Sequence, residues 1–145
     1  MNREVVRPWP LQPEDNVPFV PAIKLTGQGT LLFMSGTGPL PASHKHPHVP
    51  EEWVLPDDVT EQAYRTFKKI RTVVEHAGGE MSNVVKITRY LKDMADQDAL
   101  NIVIHEIFGK SLPCSTTVQV VGFVVPTMKL EIDAWAVIPE GVGAK

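Results

Sequence analysis

The sequence has a single cysteine, Cys114, which excludes an intramolecular disulfide framework and suits a reducing compartment. It has no apolar run near the ~18–20 residues that span a bilayer, and no hydrophobic signal segment at its amino terminus. The formal net charge is −3 and basic residues are scattered, so there is no electrostatic reason to expect nucleic acid. We therefore expect a soluble, cytoplasmic protein with neither a membrane nor a nucleic acid partner.

The apolar content suits one compact domain. With 145 residues, 43% of them hydrophobic, the chain is too short for two ordinary domains, so we expect one domain over residues 1–145. Residues 1–21 carry five prolines, which predicts an extended arm rather than a helix. Residues 39–56 are rich in proline, histidine and acid, which predicts an irregular loop insertion.

Hydrophobic periodicity predicts the order of the remaining elements. It indicates hairpin strands at 22–25 and 30–35 around Thr26–Gly29. Next come a helix from Val59, capped by Asp57 or Asp58 and ended by Gly78–Gly79, and a strand at 83–91. A second helix, capped by Asp96 and closed by Gly109, precedes two strands at 116–125 and 129–138. The order β-β-α-β-α-β-β predicts an α+β domain, with both helices on one face of a mixed sheet.

The last predicted strand places acids beside apolar residues. Leu130 and Ile132 fall on one face, and Glu131 and Asp133 fall on the other, with their Cα atoms roughly 6.5–7 Å apart. Repulsion within this pair would raise the pKa of one carboxyl, and burial would raise it further, which suits a proton shuttle. The alternative is a solvent-facing strand whose acids only confer solubility.

Several short motifs, in one order over some 120 residues, resemble the Rid family of enamine and imine deaminases, also called the YjgF/UK114 family. The matching pieces are Leu32–Gly36, His76–Gly78, Asn83–Met94, Asn101, Leu112–Pro113, Thr116–Val120 and Leu130–Ala134. The resemblance implies a chorismate-mutase-like fold. It also implies a homotrimer that binds a small-molecule substrate in clefts at its subunit interfaces, without a cofactor.

The resemblance also implies site residues. The counterpart of Glu131 activates a water that attacks an imine carbon, and an arginine holds the substrate carboxylate. Here Ser115 stands at the arginine position, Phe19 stands where many members have tyrosine, and Lys69 replaces an asparagine. The residues expected to contact the ligand are Phe19, Ser35, Gly36, Asn101, Cys114, Ser115 and Thr116.

The change at Ser115 bears on function because serine cannot replace the charge of a guanidinium. We expect a hydrolase that deaminates an imine, an enamine or a related C–N bond, with a substrate unlike simple α-imino acids such as 2-aminoacrylate. A larger, less charged or cyclic substrate fits better, and the aminomuconate deaminases of the family are a model. The alternative is a non-catalytic trimer that binds a small metabolite or has a regulatory role.

Two other features admit two interpretations. Cys114 is a potential nucleophile, but no histidine lies beside it in sequence, and a small packing residue at a strand edge is the plainer interpretation. His44, His46 and His48 alternate, so in an extended loop they could share a face and bind a metal. We expect no metal there, because no cysteine or carboxylate completes an obvious set. A structural role, or a position at the rim of an interface cleft, remains open.

Overall fold

The computed structural model describes residues 1–10 and 12–141. In chain order the strands and helices are β1 (Asn2–Val6), β2 (Ala22–Thr26), β3 (Gly29–Thr37), α1 (Val59–His76), β4 (Val84–Leu91), α2 (Gln97–Phe108), β5 (Cys114–Gln119) and β6 (Leu130–Pro139). Short 3₁₀ turns lie at Pro13–Asp15, Pro50–Trp53, Met81–Asn83 and Met94–Asp96. The turn at Pro50–Trp53 is a small correction to the expected irregular loop, since a proline suits the first position of a helical turn.

The main sheet has four strands in the order β3-β6-β4-β5. β4 runs parallel to β5, whereas β6 pairs antiparallel with both β3 and β4, so the predicted mixed sheet is confirmed. Alternate residues of β6, from Leu130 to Ile138, are buried in one core with the apolar stripes of α1 and α2. The predicted α+β class, with two helices covering the sheet, is therefore confirmed.

The predicted hairpin between residues 22–25 and 30–35 is wrong. β2 instead pairs antiparallel with β1, with Val5 opposite Ile23, and β3 lies in the other sheet. The reason lies in the arm, since its first proline is Pro8 and the preceding residues keep the backbone N–H groups that a ladder needs. Gly27, at φ 89°, turns the chain from one sheet to the other.

The predicted strand at 116–125 is too long at its carboxyl end. Val120 N–H still donates to the carbonyl of Leu91 at 2.9 Å, but Leu91 is the last residue of β4. Beyond it there is no parallel neighbour, so β5 ends at Gln119, and the following β-branched residues form a loop. Strand propensity therefore does not produce a strand where the partner backbone stops.

The helix boundaries follow from local chemistry. The Asp58 carboxylate accepts hydrogen bonds from the backbone N–H groups of Thr60 at 2.6 Å and Glu61 at 3.2 Å, which caps α1. Asp96 occupies the N-cap position of α2, but its side chain makes no capping bond. The Asp93 carboxylate does so one turn earlier, where it accepts from Ala95 N–H at 2.9 Å, so the capping role predicted for Asp96 falls to Asp93.

A second, smaller core fixes the loop between β3 and α1. Leu40 packs with Val125 and Met128, and Trp53 and Phe123 border this group.

The described residues include no helix with the length and apolar character that crossing a bilayer requires.

Candidate active site

A cavity of about 510 Å³ lies where the edge strand β3 ends. Its wall contains Gly36 and Glu131, which the sequence predicted for the site. It also contains Lys69 of α1, for which the sequence predicted no role in the site. The other lining residues are Thr37, Gly38, Leu40, Ala42, His44, His46, His48, Thr72, Val73, Val124, Val125 and Met128. Residues from four separate segments therefore meet around one carboxyl group.

A β-bulge positions the backbone next to Glu131. The pairing of β3 with β6 shifts register between Met34 and Thr37, so Ser35 and Gly36 lie in the irregular stretch. A Cβ atom added to Gly36 would overlap Glu131 Oε1 and would lie 2.9 Å from Glu131 Cδ. The carboxyl group therefore lies directly against the backbone of Gly36, and only glycine leaves it that space.

The Glu131 carboxyl has an environment that favours its protonated form. Burial raises its pKa above the ordinary value, the nearby Asp133 raises it further, and the Lys69 ammonium partly opposes both. Within residues 1–10 and 12–141, no hydrogen bond or salt bridge engages this carboxyl. A carboxyl with a raised pKa and free oxygens, half-buried in a cavity, is suited to take up and return a proton.

Asp133 and Lys69 have different surroundings. The Tyr90 hydroxyl donates to Asp133 Oδ2 at 2.8 Å, which holds the second acid of the pair and raises the pKa of Tyr90. Lys69 Nζ donates to the carbonyl of Leu40 at 2.7 Å, and burial lowers the pKa of Lys69. The ammonium thus lies in the cavity wall, bonded to the loop that carries the histidines.

The histidine loop contributes the third group of polar atoms. The ligand nitrogens of His44, His46 and His48 lie within 4.8 Å of one another. Lys45 N–H donates to both Glu52 oxygens, at 2.9 and 3.1 Å, which ties the two ends of the loop together. The alternate spacing of the three histidines predicted a shared face. Only the folding of their loop over the cavity brings them near Glu131.

The other predicted ligand contacts lie elsewhere. Cys114 and Thr116 are on β5, level with Lys86 and Thr88 of β4, and Lys86 Nζ donates to Thr116 Oγ1 at 2.6 Å. Phe19 precedes Val20, whose N–H donates to the carbonyl of Pro113 at 3.2 Å, so the arm runs beside the start of β5. These residues form a group separate from the Glu131 cavity.

Ser115 lies on the sheet face that the helices cover, and Asn101 belongs to α2 itself. Ser115 is level with the buried Ile87, and its Oγ is buried without a hydrogen-bond partner in the described part of the chain. Asn101 Oδ1 accepts from Arg89 Nη1 at 2.6 Å, and burial lowers the pKa of Arg89 to about 10. Asn101 thus accepts a hydrogen bond from the buried guanidinium of Arg89.

Ser115 and Glu131 are far apart within one chain. Ser115 is aligned across β4 with Ala134 of β6, and Glu131 lies three residues farther along that strand. Two strand spacings and three residues separate their Cα atoms by about 14 Å, and the two side chains leave opposite faces of the sheet. Ser115 and Glu131 therefore do not share a pocket within one chain.

The protein is an α+β domain with an acidic group in a cavity at the end of an edge strand. Residues 11–138 match the family model described as Endoribonuclease L-PSP, and the chain belongs to that family, the Rid or YjgF family. A RutC family protein of Pyrococcus abyssi is 35% identical over 103 residues, covering 71% of this chain and 73% of that protein.

Two further relatives extend the comparison. The 3-aminoacrylate deaminase RutC of Acinetobacter baylyi is 29% identical over 132 residues, covering 91% of this chain and 95% of that enzyme. The crystal structure of a Rid family protein of unknown function, YyfB of Yersinia pestis, superposes with a TM-score of 0.74 at 22% identity, covering 94% and 98% of the two chains. Relatives thus include named deaminases, and the fold agrees over nearly the whole length.

Proposed function

We propose that this chain is a hydrolase that deaminates an imine, an enamine or a related C–N bond of a small metabolite, with Glu131 as its acid–base group. The observation that carries the proposal is the Glu131 carboxyl itself. It is half-buried in a cavity, lies against Gly36, and has a pKa raised by burial and by Asp133. The names of deaminating relatives support the same class of reaction.

The reaction needs successive proton transfers by one carboxyl group. The Glu131 carboxylate takes a proton from water as the water oxygen attacks the carbon of the protonated imine, which gives a neutral carbinolamine. The protonated carboxyl then returns that proton to the nitrogen, and the C–N bond breaks to release ammonia. The carboxylate takes the hydroxyl proton as the carbonyl forms, and passes it to solvent. An enamine first takes a proton at carbon to become the protonated imine. A pKa raised by burial suits a group that must act in both directions.

We further propose that the working unit is a homotrimer with the ligand at subunit boundaries. The sheet face opposite the helices supports this, because Phe33, Trp135 and Val118 are 62%, 47% and 39% exposed there. An exposed apolar face of this kind favours cover by another copy. Assembly would also be the way to bring the group of Phe19, Cys114 and Thr116 to a neighbouring Glu131.

Sedimentation of a Phe33 variant tests this assembly. Phe33→Glu puts a charge into the apolar face, and we expect it to shift the trimer toward monomer. Val54→Glu is the matched control, because Val54 is 83% exposed but lies in the loop before α1. A wild-type chain that sediments as a monomer, or a Phe33→Glu variant that remains a trimer, would refute the proposed interface.

The cavity supports a substrate unlike simple α-imino acids. A volume of about 510 Å³ lies within the rough 300–1,000 Å³ range of small-molecule sites, and much of the wall is apolar. Ser115 has no charge and lies outside this cavity, so the family's arginine has no counterpart here. Lys69 in the wall would instead meet a carboxylate at another point of a longer substrate. We therefore propose a larger or cyclic substrate, and aminomuconate-like compounds belong in the first panel.

Ammonia release from a panel of substrates tests the function. The panel should contain 2-iminopropanoate and 2-iminobutanoate formed in situ, 3-aminoacrylate, and aminomuconate-like compounds. We expect turnover of at least one, with kcat about 10²–10⁴-fold lower in Glu131→Gln, the range for loss of a general acid–base group. Glu75→Gln on the exposed side of α1 is the matched control. If a ligand binds but wild type and Glu131→Gln are equally inactive on every compound, the chain is a metabolite-binding protein.

A further inference from the structure

Three imidazole rings meet at the wall of the Glu131 cavity without an acidic partner among them. The centroids of the His44, His46 and His48 rings lie 4.5–5.2 Å apart, and their ligand nitrogens lie within 4.8 Å. The chain bends at His46 and Pro47, so the segment is not an extended strand. The course of the loop therefore brings the three rings together.

The loop holds one of the three rings by a hydrogen bond. His44 Nδ1 lies 3.0 Å from the carbonyl oxygen of Pro41, which can only accept, so Nδ1 is the donor, and in the neutral ring Nε2 carries the lone pair. Histidines that bind metals commonly have this kind of hydrogen bond from the second ring nitrogen. The bonds from Lys45 N–H to Glu52 and from Lys69 to the Leu40 carbonyl hold the loop backbone from both sides.

We propose that His44, His46 and His48 bind one zinc-class divalent ion and leave a coordination position open toward the cavity. Neutral imidazoles suit Zn²⁺ and its first-row neighbours, whereas Mg²⁺ and Ca²⁺ prefer oxygen ligands. Tetrahedral Zn–N bonds of about 2.0–2.1 Å place ligand nitrogens about 3.3 Å apart. The rings therefore need to close by about 1.5 Å at most.

The open position defines what the ion would bind. Three protein ligands leave a zinc ion one position for an oxygen or nitrogen atom of another molecule. Because His44, His46, His48, Lys69 and Glu131 line the same cavity, that molecule would be one that occupies it. An anionic group such as a carboxylate would lie between the ion and the Lys69 ammonium. This inference goes beyond the proposed deaminase, since metal binding can be measured without turnover.

Metal titration of the tag-free full chain tests the site. After chelation and dialysis, we expect one equivalent of Zn²⁺ per chain in competition with a chromophoric chelator, and no competition by Mg²⁺. Removing one ligand in His46→Ala should weaken binding by more than about 100-fold, since loss of a supporting contact alone costs 10–100-fold. His46 is exposed, so the core should stay intact, and thermal unfolding verifies this.

Two variants control for other metal-binding groups. His76→Ala removes an exposed histidine at the end of α1, and Cys114→Ser removes the only thiol; both should bind Zn²⁺ as wild type does. Equal affinity in wild type and His46→Ala, or loss of binding in either control, would overturn the site.

Cobalt substitution tests the open position. The Co²⁺-loaded chain should show visible absorption bands, and azide, an anion that enters an open coordination position, should change them. Unchanged bands on addition of azide would reject the open position even where Zn²⁺ binds. Neither readout depends on deamination, so failure of the metal site and failure of the proposed function remain distinguishable.

Discussion

Replacement of Gly36 by alanine should separate the position of the Glu131 carboxyl from the fold. The new methyl carbon would lie 2.9 Å from Glu131 Cδ, whereas carbon atoms in contact lie about 3.5–4.0 Å apart. The carboxyl must therefore retreat by about 0.6–1.1 Å. Because a misplacement near 1 Å can lower rates about 100-fold, we expect kcat/KM to fall by about that factor.

The assay is ammonia release on the compound that wild type turns over fastest. A carboxylate at the end of a flexible side chain can move at small cost, so the denaturant midpoint should change little. Gly29→Ala is the matched control, because its methyl would also crowd neighbouring atoms, with Val137 Cγ1 at 2.8 Å and the Ile138 carbonyl oxygen at 3.1 Å, at the far end of β3. Its kcat/KM should equal that of wild type.

A carboxyl carbon NMR titration gives a readout that needs no substrate. The Glu131 resonance should titrate at a different pH in Gly36→Ala, because the displaced carboxyl changes its burial and its distance from Asp133. A folded Gly36→Ala variant with wild-type kcat/KM and an unchanged Glu131 titration would refute the packing of this carboxyl against Gly36.

Three further predictions concern stability. Burial raises the pKa of Glu131 in the folded chain above its pKa in the unfolded chain. Wild type therefore loses stability as the pH rises from the unfolded-state pKa through the folded-state pKa, because the buried carboxyl must ionise. In urea unfolding, the stability of Glu131→Gln relative to wild type should rise over this pH range and then level off. Gln62→Leu loses three bonds, to Pro56 and Thr127 carbonyls and from Lys129 N–H, and should lose about 3 kcal/mol in the same assay. Asn101→Ala leaves buried Arg89 without its acceptor and should cost about 1.5–3 kcal/mol by thermal unfolding, with Asn101→Asp largely restoring stability.

Matched variants and opposite outcomes make these three tests decisive. Glu75→Gln should show no such gain with pH, and a Glu131→Gln variant that is less stable than wild type at neutral pH would contradict the burial of that carboxyl. Gln119→Leu, at an exposed glutamine, should change stability by less than about 0.5 kcal/mol. If Asn101→Asp is as unstable as Asn101→Ala, the bond to Arg89 does not explain the loss.

Local periodicity predicted much of the fold. The alternation around Glu131 predicted both the buried face of β6 and the acid on the other face, and the capping pattern predicted α1 to within a residue. Pairing was harder, because β2 finds its partner in the arm and β5 ends where β4 ends. A single sequence carries turn and propensity signals, but it does not state which distant backbone is available for a ladder.

Residue order alone indicates an acid in an apolar strand, a Ser115 that brings no charge, and three histidines that alternate in one loop. That Glu131, Gly36, Lys69 and the histidines share a cavity, and that Ser115 lies on the opposite face of the sheet, follows from the folded chain alone. Residue spacing sets the side of a strand on which a side chain lies. Which segments approach that side depends on core packing and on the loop bonds that close around it.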